Sequence, residues 1–249
     1  MAIPWAFQYA RQFRWLQDTR NYLYRIISLS RKKAVLEPGC SIALITEEIT
    51  SRCRGLVVGF DSDLGALTEA KNRAQSLNLV CGTVYAPPFR KEAFDAVIFQ
   101  FFLLWLKEPI RALRIMSAMI QDGGSITAIA EPDYGGRIDF PKEIDYTTAI
   151  IEKLGQEGAD PFVGRKLEYF FRTAMLQHVQ WGLASIPFGM EQAKQHFEAE
   201  WKFLDLLSSA DMVTGLKAVK THEQRLLAEG KRSYFMPVFY CTAEKPKRY

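Results

Sequence analysis

Two acids stand where short apolar runs end. Glu37 closes the run from Lys33, and Asp61 closes the run from Gly55, 24 residues after Glu37. Between them, Pro38-Gly39-Cys40-Ser41-Ile42-Ala43 reads as a tight turn leading into a helix. An acid at the end of a second strand can accept hydrogen bonds from two ribose hydroxyls, and a glycine just past a first strand lets backbone approach a ligand. Two more run ends follow, at Gly82-Thr83-Val84-Tyr85 and at Phe99-Gln100. The chemistry this implies is the holding of a ligand at the edge of a sheet.

Such groups need a scaffold that brings them together. Short apolar runs over 33–37, 55–61, 79–83, 94–99 and 125–130 read as strands. Helices are expected over 46–52 and 64–77, with an apolar one ending near Met119 and a turn at Gly123-Gly124. Near-continuous apolar strands separated by helices imply a parallel sheet covered on both faces, and right-handed crossovers make this α/β fold doubly wound. Ligands bind such a sheet beyond the carboxyl ends of its strands, where the strand order reverses. After Pro132 the chain reads as more helical, over 144–154, 167–175 and 190–207. Residues 177–186 and 234–242 supply a sixth and a seventh strand, around a C-terminal helical insertion at about 188–230. Residues 5–27 mix aromatic and apolar residues with Arg and Gln at helical offsets. That pattern predicts one or two amphipathic helices, packed on the domain or forming a lid over a ligand site. The expected organisation is a helical segment over 1–30 and one α/β domain over 31–249.

The 249 residues, 48% hydrophobic and 13% aromatic, suffice for one large packed domain. Lys and Arg number 32 against 28 Asp and Glu, a net charge of +4 that argues against nucleic acid as a partner. The basic clusters at 31–33 and 245–248 lie far apart and read as solvated surface. Four cysteines without a CxxC pair argue against a structural zinc site or a disulfide scaffold, and read as reduced thiols. No apolar stretch approaches the roughly 18 residues of a membrane span. These features predict a soluble, cytoplasmic protein, with a homo-oligomer left open.

The order of these features resembles the class I S-adenosylmethionine-dependent methyltransferases, and in particular those that methylate small molecules. Glu37-Pro38-Gly39-Cys40-Ser41-Ile42-Ala43 is similar to a worn copy of the family's acid-x-Gly-x-Gly-x-Gly motif, and Val58-Gly59-Phe60-Asp61-Ser62-Asp63 resembles the second motif. Pro88-Phe89 followed by Phe94-Asp95-Ala96-Val97 looks like the approach to strand four, and Gly123-Gly124 with Glu131-Pro132 like the segment around strand five. The resemblance covers about residues 30–140 and implies a seven-stranded Rossmann-like sheet with S-adenosylmethionine as cofactor and S-adenosylhomocysteine as product. It implies that Glu37 holds the methionine amino group and that Asp61 holds the ribose. Thr83 and Val84 would flank the adenine, the Phe99 carbonyl would meet the methionine ammonium, and Gly39 and Ser62 would complete the set.

The departures are Ser41 and Ala43 where the family has glycine, and Thr83 where it often has an acid. A left-handed non-glycine residue costs roughly 1–2 kcal/mol, which would weaken a ligand about tenfold; an alanine methyl in the ligand's space would abolish binding. A nicotinamide enzyme would need three glycines in this turn, and no P-loop, HExxH or GxSxG motif occurs. Strand four ends Phe99-Gln100-Phe101-Phe102, not in the Pro-Pro element of enzymes that methylate exocyclic or amide nitrogens. Glu131, Asp133 and Tyr134 lie just past strand five, where a substrate could meet them, but read rather as forming a turn with Pro132 and Gly135-Gly136, and His178, His196 and His222 read as structural. No general base is identified. The sequence therefore predicts methyl transfer to a small, partly hydrophobic acceptor. A catalytically degenerate partner or scaffold protein, or a methyltransferase of RNA or protein, are the alternatives.

Overall fold

The computed structural model describes residues 5–184, 194, 197–198, 200–202, 204 and 210–247. Helices α1 (Trp5–Trp15) and α2 (Gln17–Ile26) lead into β1 (Ala34–Pro38), α3 (Leu44–Arg52), β2 (Leu56–Asp61), α4 (Leu64–Arg73), β3 (Asn78–Cys81) and β4 (Phe94–Phe99). Then come α5 (Pro109–Met119), β5 (Ile120–Pro132), β6 (Ile138–Phe140), α6 (Thr147–Gln156), α7 (Leu167–Thr173) and β7 (Gln177–Leu183). The described chain closes with α8 (Ala210–Ala228), β8 (Ser233–Phe235) and β9 (Val238–Glu244).

Seven strands form one sheet in the order β3-β2-β1-β4-β5-β9-β7, while β6 and β8 pair as a separate ribbon. The first five strands are mutually parallel, and β9 runs antiparallel to both β5 and β7. The expected doubly wound, seven-stranded sheet is therefore present. Because β1 connects outward to β2 and β3 while β4 and β5 lie on its other side, strand order reverses between β1 and β4. A crevice opens at their carboxyl ends.

Alternation along the central strands fills both faces of the sheet. Leu36, Val97, Phe99 and Ile126 pack with Leu113, Met116 and Phe171 on one side. Val35, Ala96, Ile98 and Ile129 pack with Leu23, Tyr24 and Ile49 on the other. Helix α2 thus belongs to the core, through buried Leu23 and Tyr24, and carries α1 with it. Asp63 starts α4 by accepting a hydrogen bond from the Ala66 amide at 3.0 Å, and Pro109 opens α5, where its missing N–H costs nothing.

Several boundaries differ from the sequence reading. Gly123-Gly124 lies inside β5, which runs the whole way from Ile120 to Pro132, and α4 stops at Arg73. The stretch 234–242 contains two strands separated by Met236 and Pro237, because a proline supplies no ladder donor. The ribbon of β6 and β8 is too short to show a period. Most of the helix expected over 190–207 lies outside the described residues. No helix among the described residues is long and apolar enough to cross a membrane.

Candidate functional site

A cavity of about 430 Å³ occupies the crevice, bounded by the ends of β1, β2 and β4, the loop after β3 and, from above, α1. Of the residues singled out in the sequence, Glu37, Gly39, Asp61, Ser62, Thr83 and Val84 line it. Phe99 is fully buried in the sheet core beneath, and its successors Gln100, Phe101 and Phe102 form the wall instead.

The turn after β1 is left-handed three times, at Gly39 (φ 71°), Ser41 (φ 47°) and Ala43 (φ 58°). Gly39 has no alternative residue: a Cβ there would stand 2.3 Å from the Phe102 ring. The Gly39 amide donates to the Phe60 carbonyl at 2.7 Å, and the Ala43 amide to the Cys40 carbonyl at 2.7 Å. Both positions where glycine is missing thus keep the glycine-like conformation. Their side chains go different ways. Ser41 faces the cavity, while the Ala43 methyl is fully buried among Cys40, Leu67, Ala70 and Leu77, beneath α4. The substitution at 43 costs strain and takes no ligand volume.

Asp61 ties this turn to β2. Its Oδ2 accepts from the Ser41 amide at 2.7 Å and its Oδ1 from the Asp63 amide at 2.9 Å. Glu37 is deeper, 2% exposed, and accepts a hydrogen bond from the Thr46 hydroxyl. Burial pushes its pKa up to about 8, against the lowering effect of Thr46. Thr46 reaches it because β2 carries Gly59 opposite, where a Cβ would lie 2.7 Å from the threonine oxygen.

Helix α1 roofs the cavity with Tyr9, Gln12 and Phe13. The Tyr9 hydroxyl is hydrogen-bonded to the Ser41 side chain; burial pushes its pKa up to about 12, and Asp61 and Asp63 add to the rise. Arg20, almost wholly buried, fixes the roof: it donates to the Phe13 carbonyl at 2.6 Å, lies 4.0 Å over the Phe13 ring and pairs with Glu48 of α3. The aromatic pattern of 5–27 points to a helix here, but pairs such as Tyr9 with Ser41 leave no trace in local sequence.

The acids past β5 are structural. Glu131, fully buried, accepts from the amides of Phe102 at 2.9 Å, Leu103 at 2.8 Å and Leu104 at 3.3 Å. It holds the loop that makes the cavity wall. Burial raises its pKa to about 8, opposed by those three bonds. Asp133 is bonded to Arg165 through both oxygens, at 2.6 and 2.7 Å, and the Tyr134 amide donates to the Pro161 carbonyl. None of Glu131, Asp133 and Tyr134 is among the residues lining the cavity. His178 lies on exposed β7 and His222 on α8, while His196 falls outside the described residues. Among the described residues no three metal-ligating side chains come together.

The doubly wound sheet thus reverses its order beside an acid-lined, left-handed turn, with a cavity at that point. Comparison with known proteins is specific about its kind. Residues 36–128 match the family model described as a methyltransferase domain. A demethylmenaquinone methyltransferase of Renibacterium salmoninarum is 33% identical over 100 residues, spanning 39% of this chain and 40% of that protein. Among solved structures, the cyclase SpnF superposes with a TM-score of 0.63 at 17% identity, over 93% of this chain and 82% of that one. The Haemonchus contortus phosphoethanolamine N-methyltransferase 2, in complex with S-adenosyl-L-methionine, gives 0.63 at 13% identity, over 92% of this chain and 52% of that one. Residues 36–128 thus match a methyltransferase domain, the chain spans less than half the length of the curated relative it resembles, and the solved structures share its fold.

Proposed function

We propose that this protein transfers the methyl group of S-adenosylmethionine to a small, partly hydrophobic acceptor, with both bound in the cavity under α1. One observation carries the reading. The Ala43 methyl lies in the core, so the crevice beside Glu37 and Asp61 stays open although two of the family's glycines are gone.

The residues present fit an adenosyl amino acid. Glu37 is a buried carboxyl in want of a cation, and the methionine ammonium would favour its ionised form. Each Asp61 oxygen has one backbone donor and keeps a further lone pair for a ribose hydroxyl. Gly39, Ser62, Thr83 and Val84 border the nucleoside side, and the Phe99 carbonyl is assigned to the ammonium. When bound, the cofactor supplies a methyl group on a good leaving group. The protein's part is then proximity, orientation and exclusion of water. Tyr9 and Phe13 exclude water from above, and Tyr9, protonated at neutral pH, donates hydrogen bonds and does not serve as a base. Two of the similar proteins are named as methyltransferases of small molecules, which supports a small acceptor.

Calorimetric titration with S-adenosylhomocysteine tests the reading. Micromolar affinity, about −8 kcal/mol, is the expected result. No heat and no thermal shift at millimolar ligand would return the protein to the scaffold alternative.

A further inference from the structure

Helix α1 covers the crevice without belonging to the core. Among its described residues no side chain is buried, whereas Leu16 just beyond it is fully buried and α2 buries Thr19, Arg20, Leu23 and Tyr24. The helical path breaks at Leu16, with φ −102° and ψ 14°. A break with firm packing on one side only is a hinge. Two ties hold α1 down. Near the hinge, Arg20 donates to the Phe13 carbonyl at 2.6 Å and lies over the Phe13 ring. One turn further out, the Tyr9 hydroxyl is bonded to the Ser41 side chain, and both residues line the cavity. Ser41 therefore works in two directions. Its amide donates to Asp61 at 2.7 Å while its hydroxyl meets the roof. A glycine at 41 keeps the left-handed turn and the amide bond but has nothing to offer Tyr9.

We infer that α1 is a lid swinging about Leu16 and that the Tyr9–Ser41 hydrogen bond is its latch. Ser41 is thereby a positioning residue, setting the rate at which S-adenosylmethionine and S-adenosylhomocysteine enter and leave. The inference rests on the methyl-transfer reading for the identity of the ligand. Tyr9 stands close enough to Asp61 to feel its charge, so a nucleoside held by Asp61 lies beside the latch. The latch is worth one neutral hydrogen bond, so its loss raises the open fraction about 2- to 10-fold. It acts on the empty and the loaded crevice alike. Entry and exit are therefore slowed together, whereas a simple ligand contact slows exit alone. Once lifted, the 11 residues of α1 are too few for a helix stable in water, so an open lid also loses its helical hydrogen bonds.

Two readouts on the full chain test this in Tyr9→Phe, Ser41→Ala and the double variant. Amide hydrogen exchange without ligand compares residues 12–15 of α1 with Leu23 and Tyr24 of α2. Each single variant should speed exchange in α1 about 2- to 10-fold and leave α2 unchanged. The double variant should match the singles, since either substitution removes the same bond. Stopped-flow binding of S-adenosylhomocysteine is the second readout: association and dissociation rates should both rise in each variant, with Kd changing less than either rate. Unmoved exchange in α1, effects of the two substitutions that add, or a rise in dissociation alone overturns the latch. Failure of S-adenosylhomocysteine to bind, with exchange in α1 responding as expected, refutes the methyl-transfer reading and leaves the latched lid standing. Tight S-adenosylhomocysteine binding at wild-type rates in every variant does the reverse.

Discussion

Restoring glycine at position 43 is the sharpest perturbation of the crevice, because two accounts of Ala43 give opposite results. In the structure its φ is 58° and its methyl is fully buried among Cys40, Leu67, Ala70 and Leu77. Ala43→Gly relieves roughly 1–2 kcal/mol of left-handed strain. It forfeits about 0.8 kcal/mol for one buried methyl, and roughly 0.4–1 kcal/mol more because glycine loosens the unfolded chain. The terms nearly cancel, so the net change lies within about 1 kcal/mol of zero in either direction. For a chain of this size that moves the melting temperature by no more than about 4 °C. Cofactor affinity should not move at all, since the methyl points away from the cavity. Thermal melts together with titration of S-adenosylhomocysteine into wild type and Ala43→Gly decide the matter. A tenfold or greater tightening in the variant would mean that the methyl intrudes on the ligand, and the geometry argued for this turn would be wrong.

Asp61→Ala removes the ribose acceptor and leaves the Ser41 and Asp63 amides without their partner, so affinity for S-adenosylhomocysteine should fall by about 1–3 kcal/mol; unchanged affinity in the same titration would take Asp61 out of the site. Glu37, with its pKa near 8 in the free protein, must ionise to meet an ammonium, so binding at pH 7 should release a proton and affinity should rise with pH until about 8. Calorimetry in two buffers of different ionisation enthalpy measures that proton, and Glu37→Gln should abolish it. Stability responds with the opposite sign. A carboxyl whose folded pKa is raised stabilises the protein below its unfolded value near 4.5 and loses that contribution as pH climbs to about 8, for Glu37 and Glu131 alike. Urea melts should therefore show stability falling over that window. Arg20→Met removes one of the two arginines paired with Glu48 and frees the Phe13 carbonyl. Since Arg52 still pairs with Glu48, the loss should sit near the lower end for a buried pair, about 3 kcal/mol, as read from denaturant midpoints.

Strand positions were legible because both faces of the sheet are covered. The runs at 34–36, 56–60 and 96–99 are apolar apart from Gly59, and the first two are followed directly by an acid, Glu37 and Asp61. The roof was legible as helical from its aromatic spacing. What lay beyond reach was anything set by distant partners. Tyr9 meets Ser41 and Arg20 meets Glu48, and no window of neighbouring residues carries those facts. The pair Gly123-Gly124 misled for a different reason. Glycine signals a turn on average, yet here β5 bends through both residues and continues. Likewise Pro237 splits the last strand region into β8 and β9 through its missing donor, a break that apolar content alone does not announce.

Glu37, Asp61 and Glu131 show how far local sequence can mislead about a site. Each is an acid at the carboxyl end of a parallel strand, with a glycine or proline close by. The fold gives each a different set of donors. Asp61 has one amide on each oxygen and stays at the cavity edge with acceptor capacity to spare. Glu37 has a threonine hydroxyl and is otherwise enclosed, so its demand for charge compensation is left for a ligand. Glu131 receives three backbone amides and is wholly buried away from the cavity; it builds the wall on which Phe101 and Phe102 stand. The strained backbone follows the same logic. Ser41 is tied to Asp61, Ala43 to Cys40 and Phe101 to Ala130, so each left-handed residue around the crevice is held by a hydrogen bond from its own amide. Glycine is the least costly way to make this turn, but it is not the only way once the amides are held from outside, and a worn glycine motif can therefore keep its shape.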